Sequence, residues 1–436
     1  MQFRVPAARE APLLLCSVCR LWRSTAISTP VLWCSMKIAY RLSSEFIDTW
    51  LSRAMSCPLS IAFTLDARPL QVNVLFFRKR SHKHSGVLVP ISHRWQSLEL
   101  SIMPGAPLGL LDDLPKDAVP CLETLIIRYP YGSGMCGKST LDHIFRSSSN
   151  LREVFVFGDD STVSLSLLWS IPASHLQVLC IDLLLYQEEC IGLLSRSPKL
   201  EKGFFRLGHF PLPSHLSMPT NPIVLKNLQT LSLHTFTSLT DLFTHVTLPV
   251  LRFLRIGFGS VNSWSHEAFL GFISPFSSNL TTLRLDGPPI LEEKLIEYLR
   301  LLPSVTELGL NDRSKVGLIG NELLSSLTYQ GGDVGGSACL CPKLATLELS
   351  GVHACTDEHL VYMLESRWRQ QTPTRPKIRG DFVSFGPVTH LIVRPLKSRS
   401  RNRCMTCQGS HRARLPVSNV SDSVSGAKEQ CACRGV

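Results

Sequence analysis

The chain has 436 residues, 44% of them hydrophobic and 18% charged, with a formal net charge of +11. That is enough apolar material for a large core, in two or three domains or in one long stack of repeats. No apolar run approaches the roughly 18 residues that a membrane-spanning helix needs. Fifteen scattered cysteines are not the short, dense framework of a secreted disulfide scaffold, so the thiols are expected to be reduced, in the cytosol or nucleus. Basic residues precede a short apolar run at the start, but Arg20 cuts it too early for a secretory leader.

The first 60 residues carry helical spacing. Leu13, Leu14, Val18, Leu21 and Trp22 recur every three or four positions, as do Phe46, Ile47, Trp50 and Leu51. Ser28-Thr29-Pro30 between them is a breaker. The run Cys16-Ser17-Val18-Cys19-Arg20-Leu21-Trp22-Arg23, the turn Ala26-Ile27-Ser28-Thr29-Pro30 and the pair Leu32-Trp33 resemble the carboxy-terminal half of an F-box, as found in fungal (basidiomycete-type) F-box proteins. Phe46 to Ala54, then Cys57-Pro58-Leu59, resemble the stretch that follows it there. The resemblance implies a non-catalytic substrate receptor of a cullin–RING ubiquitin ligase. Leu13, Leu14, Leu15, Val18, Trp22, Leu32 and Trp33 would dock on the adaptor protein. The rest of the chain would hold a substrate protein, and tethering would raise the effective concentration for ubiquitin transfer. The Leu-Pro-x-Glu helix that opens an F-box has no counterpart in Met1 to Pro6. The half-box is therefore expected either to bind the adaptor or to cap the core of the first repeat.

From about residue 90 to 393 a leucine-x-x-leucine-x-leucine pattern returns. Its copies are Leu122/Leu125/Ile127, Leu151/Val154/Val156, Leu176/Leu179/Ile181, Leu228/Leu231/Leu233, Leu251/Leu254/Ile256, Leu280/Leu283/Leu285, Val305/Leu308/Leu310 and Leu344/Leu347/Leu349. Trp95/Leu98/Leu100 is an earlier copy, and Leu200 with Phe205 a degraded one. Anchors lie about 23–29 residues apart, with one gap of about 39, which resembles the leucine-rich repeat. In each unit an alternating strand is followed by a turn and a helix. Leu283 and Leu285 point in and Arg284 out, and Leu291, Leu295, Ile296 and Leu299 cover the sheet from a helix. The expected fold is an α/β solenoid: a leucine-rich-repeat horseshoe with a parallel sheet on its concave face, behind a small partial helical F-box. The expected segments are 1–60 for the partial F-box and following helix, 61–393 for the repeats, and 394–436 for a disordered basic and Ser-rich tail.

The residue between the last two anchors of each strand faces solvent. In order these are Glu99, Ile126, Phe155, Cys180, Phe204, Ser232, Arg255, Arg284, Gly309 and Glu348. They predict an apolar stripe (Ile126, Phe155, Phe157, Phe204) beside a basic one (Arg206, Arg255, Arg284). Such a face suits a protein with an apolar segment next to acidic residues, unless the loop 208–224 folds over it.

No catalytic set, cofactor or metal is expected, nor a membrane or a specific nucleic acid as partner. Gly132 to Ser139 fits the phosphate-loop pattern, with Lys138 and Ser139 placed for phosphate and Mg²⁺. However, Tyr129-Pro130-Tyr131 separates the strand from the loop, and every repeat makes strand, loop and helix anyway. Cys404, Cys407 and His411, with Cys431 and Cys433, could ligate zinc, but the tail around them lacks a core. His82, His84 and His93 have no paired carboxylate, and Glu292, Glu293 and Glu297 near Lys294 read as a solvated helix face.

Overall fold

The computed structural model describes residues 6–39, 42–64, 84–101, 114–129 without 116, 141–158 without 142, 143, 146 and 147, 169–208, 221–259, 264–312, 317–329, 339–351, 354–368 and, as backbone, 390–394. Met1–Arg394 form one unit; Pro395–Val436, the second, lie outside the described residues.

The strands are β1 (Ser35–Ala39), β2 (Leu59–Thr64), β3 (Trp95–Ser101), β4 (Thr124–Tyr129), β5 (Glu153–Gly158), β6 (Val178–Leu185), β7 (Lys202–Leu207), β8 (Ile223–Val224), β9 (Thr230–Thr235), β10 (Val246–Thr247), β11 (Phe253–Phe258), β12 (Thr282–Asp286), β13 (Glu307–Asn311), β14 (Thr346–Ser350) and β15 (His390–Arg394). Among the described residues, β1 to β7, β9 and β11 to β15 pair in chain order as one sheet, and their pairings are parallel. β8 and β10 pair with each other. The helices are α1 (Leu13–Val18), α2 (Arg20–Ile27), α3 (Ser44–Arg53), α4 (Gln187–Arg196), α5 (Thr240–His245), α6 (His266–Ile273), α7 (Glu292–Arg300), α8 (Asn321–Leu327) and α9 (Asp357–Trp368). Paired strands sit about 4.8 Å apart while packed helices need about 8–10 Å, so a stack with helices on one side curves with its sheet inward.

The recurring leucines form the core because each strand alternates and its neighbours repeat the alternation in register. Leu254 pairs with Leu231 and Leu283, and Ile256 with Leu233 and Leu285. The anchors of all eight full copies are buried. Gly203 takes a leucine's place in the degraded copy, between Leu179 and Leu231. A Cβ there would come 2.8 Å from the Phe205 ring. The large Phe205 therefore fills the space that Gly203 leaves, which is a volume-conserving exchange.

A polar seam runs along the strand entries. The backbone carbonyl before each strand accepts from the next repeat, as in Arg152 N to Glu123 O, Gln177 N to Arg152 O and Arg252 N to Gln229 O, at 2.8–2.9 Å. Beside it Asn150, Asn227 and Asn279 each donate to a proline carbonyl one repeat earlier: Pro120 at 2.8 Å, Pro198 at 3.2 Å and Pro249 at 2.9 Å. These bonds satisfy backbone acceptors that no strand partner reaches.

Several expectations change. The sheet begins at β1, well before residue 61, because Met36 and Ile38, then Leu59, Ile61 and Phe63, alternate and bury like later strands. The first helical segment is two helices, broken where Cys19 takes an extended conformation (φ −156°, ψ 175°). Leu291 does not cover the sheet: it precedes α7 as an exposed N-cap, and Tyr298 buries with Leu295, Ile296 and Leu299 instead. Glu292 is no solvated charge, since its carboxylate accepts the Leu323 amide at 2.6 Å and so caps the next helix. At α9, Arg367 is buried, and its guanidinium donates to the carbonyls of Leu327, Leu340 and Cys341. This tethers the turn after α8 without any carboxylate.

Candidate functional site: the open face of the sheet

The face of the sheet opposite the buried leucines carries one register line across strands. It runs Lys37, Ala62, Glu99, Ile126, Phe155, Cys180, Phe204, Ser232, Arg255, Arg284, Gly309, Glu348 and Ile392. All ten residues expected to face outward fall on it. The side chains of Ile126, Phe155 and Phe204 are half-buried, and Cys180 between the two phenylalanines is closed off.

The line two residues further on is less regular. Phe157 lies beside Arg128 and Asp182 in register. β6 then shifts between Ile181 and Leu184, which puts Leu184, not Asp182, beside Arg206. Phe157 and Arg206 therefore belong to the same face but not to one unbroken row. Phe157 stacks on Phe155 at 6.4 Å between ring centroids and 11° between planes. Over its other side lies the Arg128 guanidinium, 4.6 Å from the ring, held by Glu99 at 2.8 Å. Arg128 was missed in the sequence because it lies one alternation beyond the row that the repeat defines.

The arginines are not the free basic stripe that the sequence suggests. Arg255 donates to Asp286 Oδ2 through Nε at 3.0 Å and Nη2 at 2.8 Å, and Arg284 reaches Glu348 at 3.3 Å. Cross-strand acids quench two of the three cations, since Asp286 and Glu348 stand one and two strands along the sheet. Arg206 lies with its guanidinium 5.5 Å from the Phe236 ring, and its buried Nε has no hydrogen-bond partner among the described residues. His234, its register neighbour, meets the same ring edge-on at 4.9 Å. Of the loop expected to cover the face, residues 209–220 lie outside the described residues, and Ile223–Val224 pair with β10.

The amino-terminal residues separate into two groups. Trp33 is fully buried, donates through its indole N–H to Ala26 O at 2.7 Å, and meets Trp50 edge-on at 4.9 Å. Arg53 lies over it at 4.5 Å. It is a core residue and cannot be an adaptor contact, because the aromatic pair closes the end of the first repeat. Leu13 and Leu32 pack partly against the core, and Leu15 is half-buried. Leu14, Val18 and Trp22 are exposed, joined by Leu21 and Val31 at 73% and 69%. Large apolar side chains gathered this openly at one end need a reason beyond folding.

The other motifs contribute nothing to this face. Gly132 to Ser139, His82 and the tail residues Cys404, Cys407, His411, Cys431 and Cys433 lie outside the described residues. His84 contacts Leu42 O at 2.9 Å and His93 contacts Pro90 O at 3.1 Å, both local structural bonds. Among the described residues no group of three or more His, Cys, Asp or Glu is placed to hold a metal ion, and no helix is long and apolar enough to cross a membrane.

The strand register and the buried anchors decide the architecture. The chain folds as a leucine-rich-repeat solenoid. No family model matches it, and no curated protein does. Among solved structures it is similar to the yeast Rad7 and Elc1 complex, at 15% identity and a TM-score of 0.36, over 78% of this chain and 92% of that one. It is also similar to a leucine-rich-repeat protein of Leptospira interrogans, at 12% identity and a TM-score of 0.34, over 79% and 91%. Likenesses this distant bear on nothing beyond the general architecture.

Proposed function

We propose that the chain is a non-catalytic protein-binding scaffold of the cytosol or nucleus that holds its partner on the open face of β4 to β7. The observation that carries this reading is the line Ile126, Phe155 and Phe204, with Phe157 beside it. Solvent-facing strand positions are polar unless something covers them, and these four are apolar. The complementary partner presents an apolar segment. The paired arginines next to it set orientation more than affinity. The test is capture of partners from cell extract, read by mass spectrometry, for wild type against Phe155→Ala/Phe204→Ala. A partner set lost in the variant supports the assignment, and an unchanged set overturns it.

A finer reading is that the scaffold is the substrate receptor of a cullin–RING ubiquitin ligase. The exposed side chains of Leu14, Val18, Leu21, Trp22 and Val31 favour it, since they offer a second apolar surface away from the sheet face. An adaptor docked there would leave the open face to the substrate. Co-purification with the ligase adaptor, lost on Leu14→Asp, is the expected result. Absence of the adaptor from wild-type preparations would leave the plain scaffold.

A further inference from the structure

Cys34 and Cys57 stand at equivalent places in the first two turns of the solenoid, just before β1 and just before β2. The strands hold them there. Cys34 O accepts the Ser60 amide at 2.8 Å, and Ser35 pairs with Ser60. The Cys34 thiol donates to Pro30 O at 3.2 Å and lies in hydrogen-bonding contact with the Cys57 thiol. A cation sits beside the pair. Arg94 donates to Cys57 O through Nε at 3.1 Å and Nη2 at 2.9 Å, and to Ala54 O at 3.3 Å. Both cysteines are only half-buried, unlike Cys180, Cys190 and Cys341, which are closed in the core. Two thiols in contact, reachable from solvent and held on rigid neighbouring strands beside a guanidinium, form a built site rather than two isolated side chains.

We propose that Cys34 and Cys57 are a reversible disulfide site, oxidised by low-molecular-weight disulfides through thiol–disulfide exchange. The Cys57 thiolate attacks one sulfur of the small disulfide, forms a mixed disulfide and expels one thiolate. The Cys34 thiolate then attacks the Cys57 sulfur of that mixed disulfide and expels the second. Two protein thiols become one disulfide, the small disulfide becomes two thiols, and the two thiol protons pass through solvent to the leaving thiolates. The order follows from the environment of Cys34. Burial first, then the hydrogen bond and charge of Cys57, hold its thiol up at about 11, while Arg94 pulls the other way. Capping Cys57 removes the second and third of these opposing influences and leaves Arg94 in place, so Cys34 becomes the resolving thiol. The bond would join the end of the Pro30–Trp33 turn to the residues after α3. It would thus brace the Trp33–Trp50 packing between the amino-terminal helices and the sheet. This inference does not depend on the partner reading above.

The test uses the full chain and oxidised glutathione at pH 7.5, with free thiols alkylated before unreduced digestion and peptide mass spectrometry. The expected product is a Cys34–Cys57 linked peptide pair, formed ahead of any other link, with a higher melting temperature that dithiothreitol reverses. Cys34→Ser should trap the mixed disulfide on Cys57, and Cys57→Ser should slow modification of Cys34 by about tenfold or more. Separate glutathionylation of both cysteines in wild type without a link overturns the proposal, as does a preferred link elsewhere. The wild-type peptide map decides the matter even where a serine variant fails to fold.

Discussion

From β4 to β7 the open face carries Ile126, Phe155, Cys180 and Phe204, whereas from β11 to β14 the same register line carries Arg255, Arg284, Gly309 and Glu348. Behind both stretches the lining is alike, leucine or isoleucine in nearly every place and buried throughout. One half therefore leaves its outer side chains unsatisfied, while the other spends them on each other, Arg255 on Asp286 and Arg284 on Glu348. The inner row is under a common demand because each strand buries it against its neighbours. The outer row has no such demand, so its differences are where a partner can be specified.

The comparison is broken most severely from the inside. Leu283→Ala removes buried volume from β12 and should cost roughly 2–5 kcal/mol in urea unfolding. Phe155→Ala, half-exposed on the opposite face, should cost about 1 kcal/mol or less. Equal losses at the two positions would mean that the open face is core. Partner affinity should reverse the order. Phe155→Ala/Phe204→Ala should weaken capture at least about tenfold, the size of an interface anchor, with the melting temperature nearly kept.

A third expected effect lies between the halves, at α4. Burial pushes Glu189 up to about 7 from its ordinary 4.5, against the hydrogen bond it accepts from the Tyr186 amide at 2.9 Å. Between those values the folded chain keeps a proton that the unfolded chain has lost, so this group's contribution to stability falls as pH rises from about 4.5 to about 7. Glu189→Gln should flatten thermal stability across that window and raise the melting temperature at pH 8. An unchanged pH profile would show that Glu189 is ionised at little cost. The smallest effect is the ion pair itself. A double-mutant cycle on Arg255 and Asp286, both partly exposed, should give about 0.2–1 kcal/mol of coupling and lose it in high salt. A larger, salt-insensitive value would make the charged half a structural clasp instead of a quenched surface.

Much of this was legible in the chain. The eight leucine triplets gave the strands, and the period-two rule gave the outer row residue by residue, because side chains on a strand must alternate. Where the rule had a weak sequence to work on, it fell short. The strands β1 and β2 carry Met36-Lys37-Ile38 and Ile61-Ala62-Phe63. These alternate but lack the leucine spacing, and they hid beneath the F-box-like pattern. Trp33 read as a surface anchor by its place next to Leu32. Only the packing of Trp50 against it from α3 makes it core.

By itself, the sequence determined that parallel strands stack and which side chain of each one faces outward, since periodicity is a local property of the backbone. Tertiary structure alone decided what those outward groups do. The pairing of Arg255 with Asp286, of Arg284 with Glu348 and of Arg128 with Glu99 joins residues on different strands. So does the meeting of Cys34 with Cys57. Distances between repeats are set by how the units pack, and no spacing along the chain encodes which neighbouring charge or thiol comes within reach.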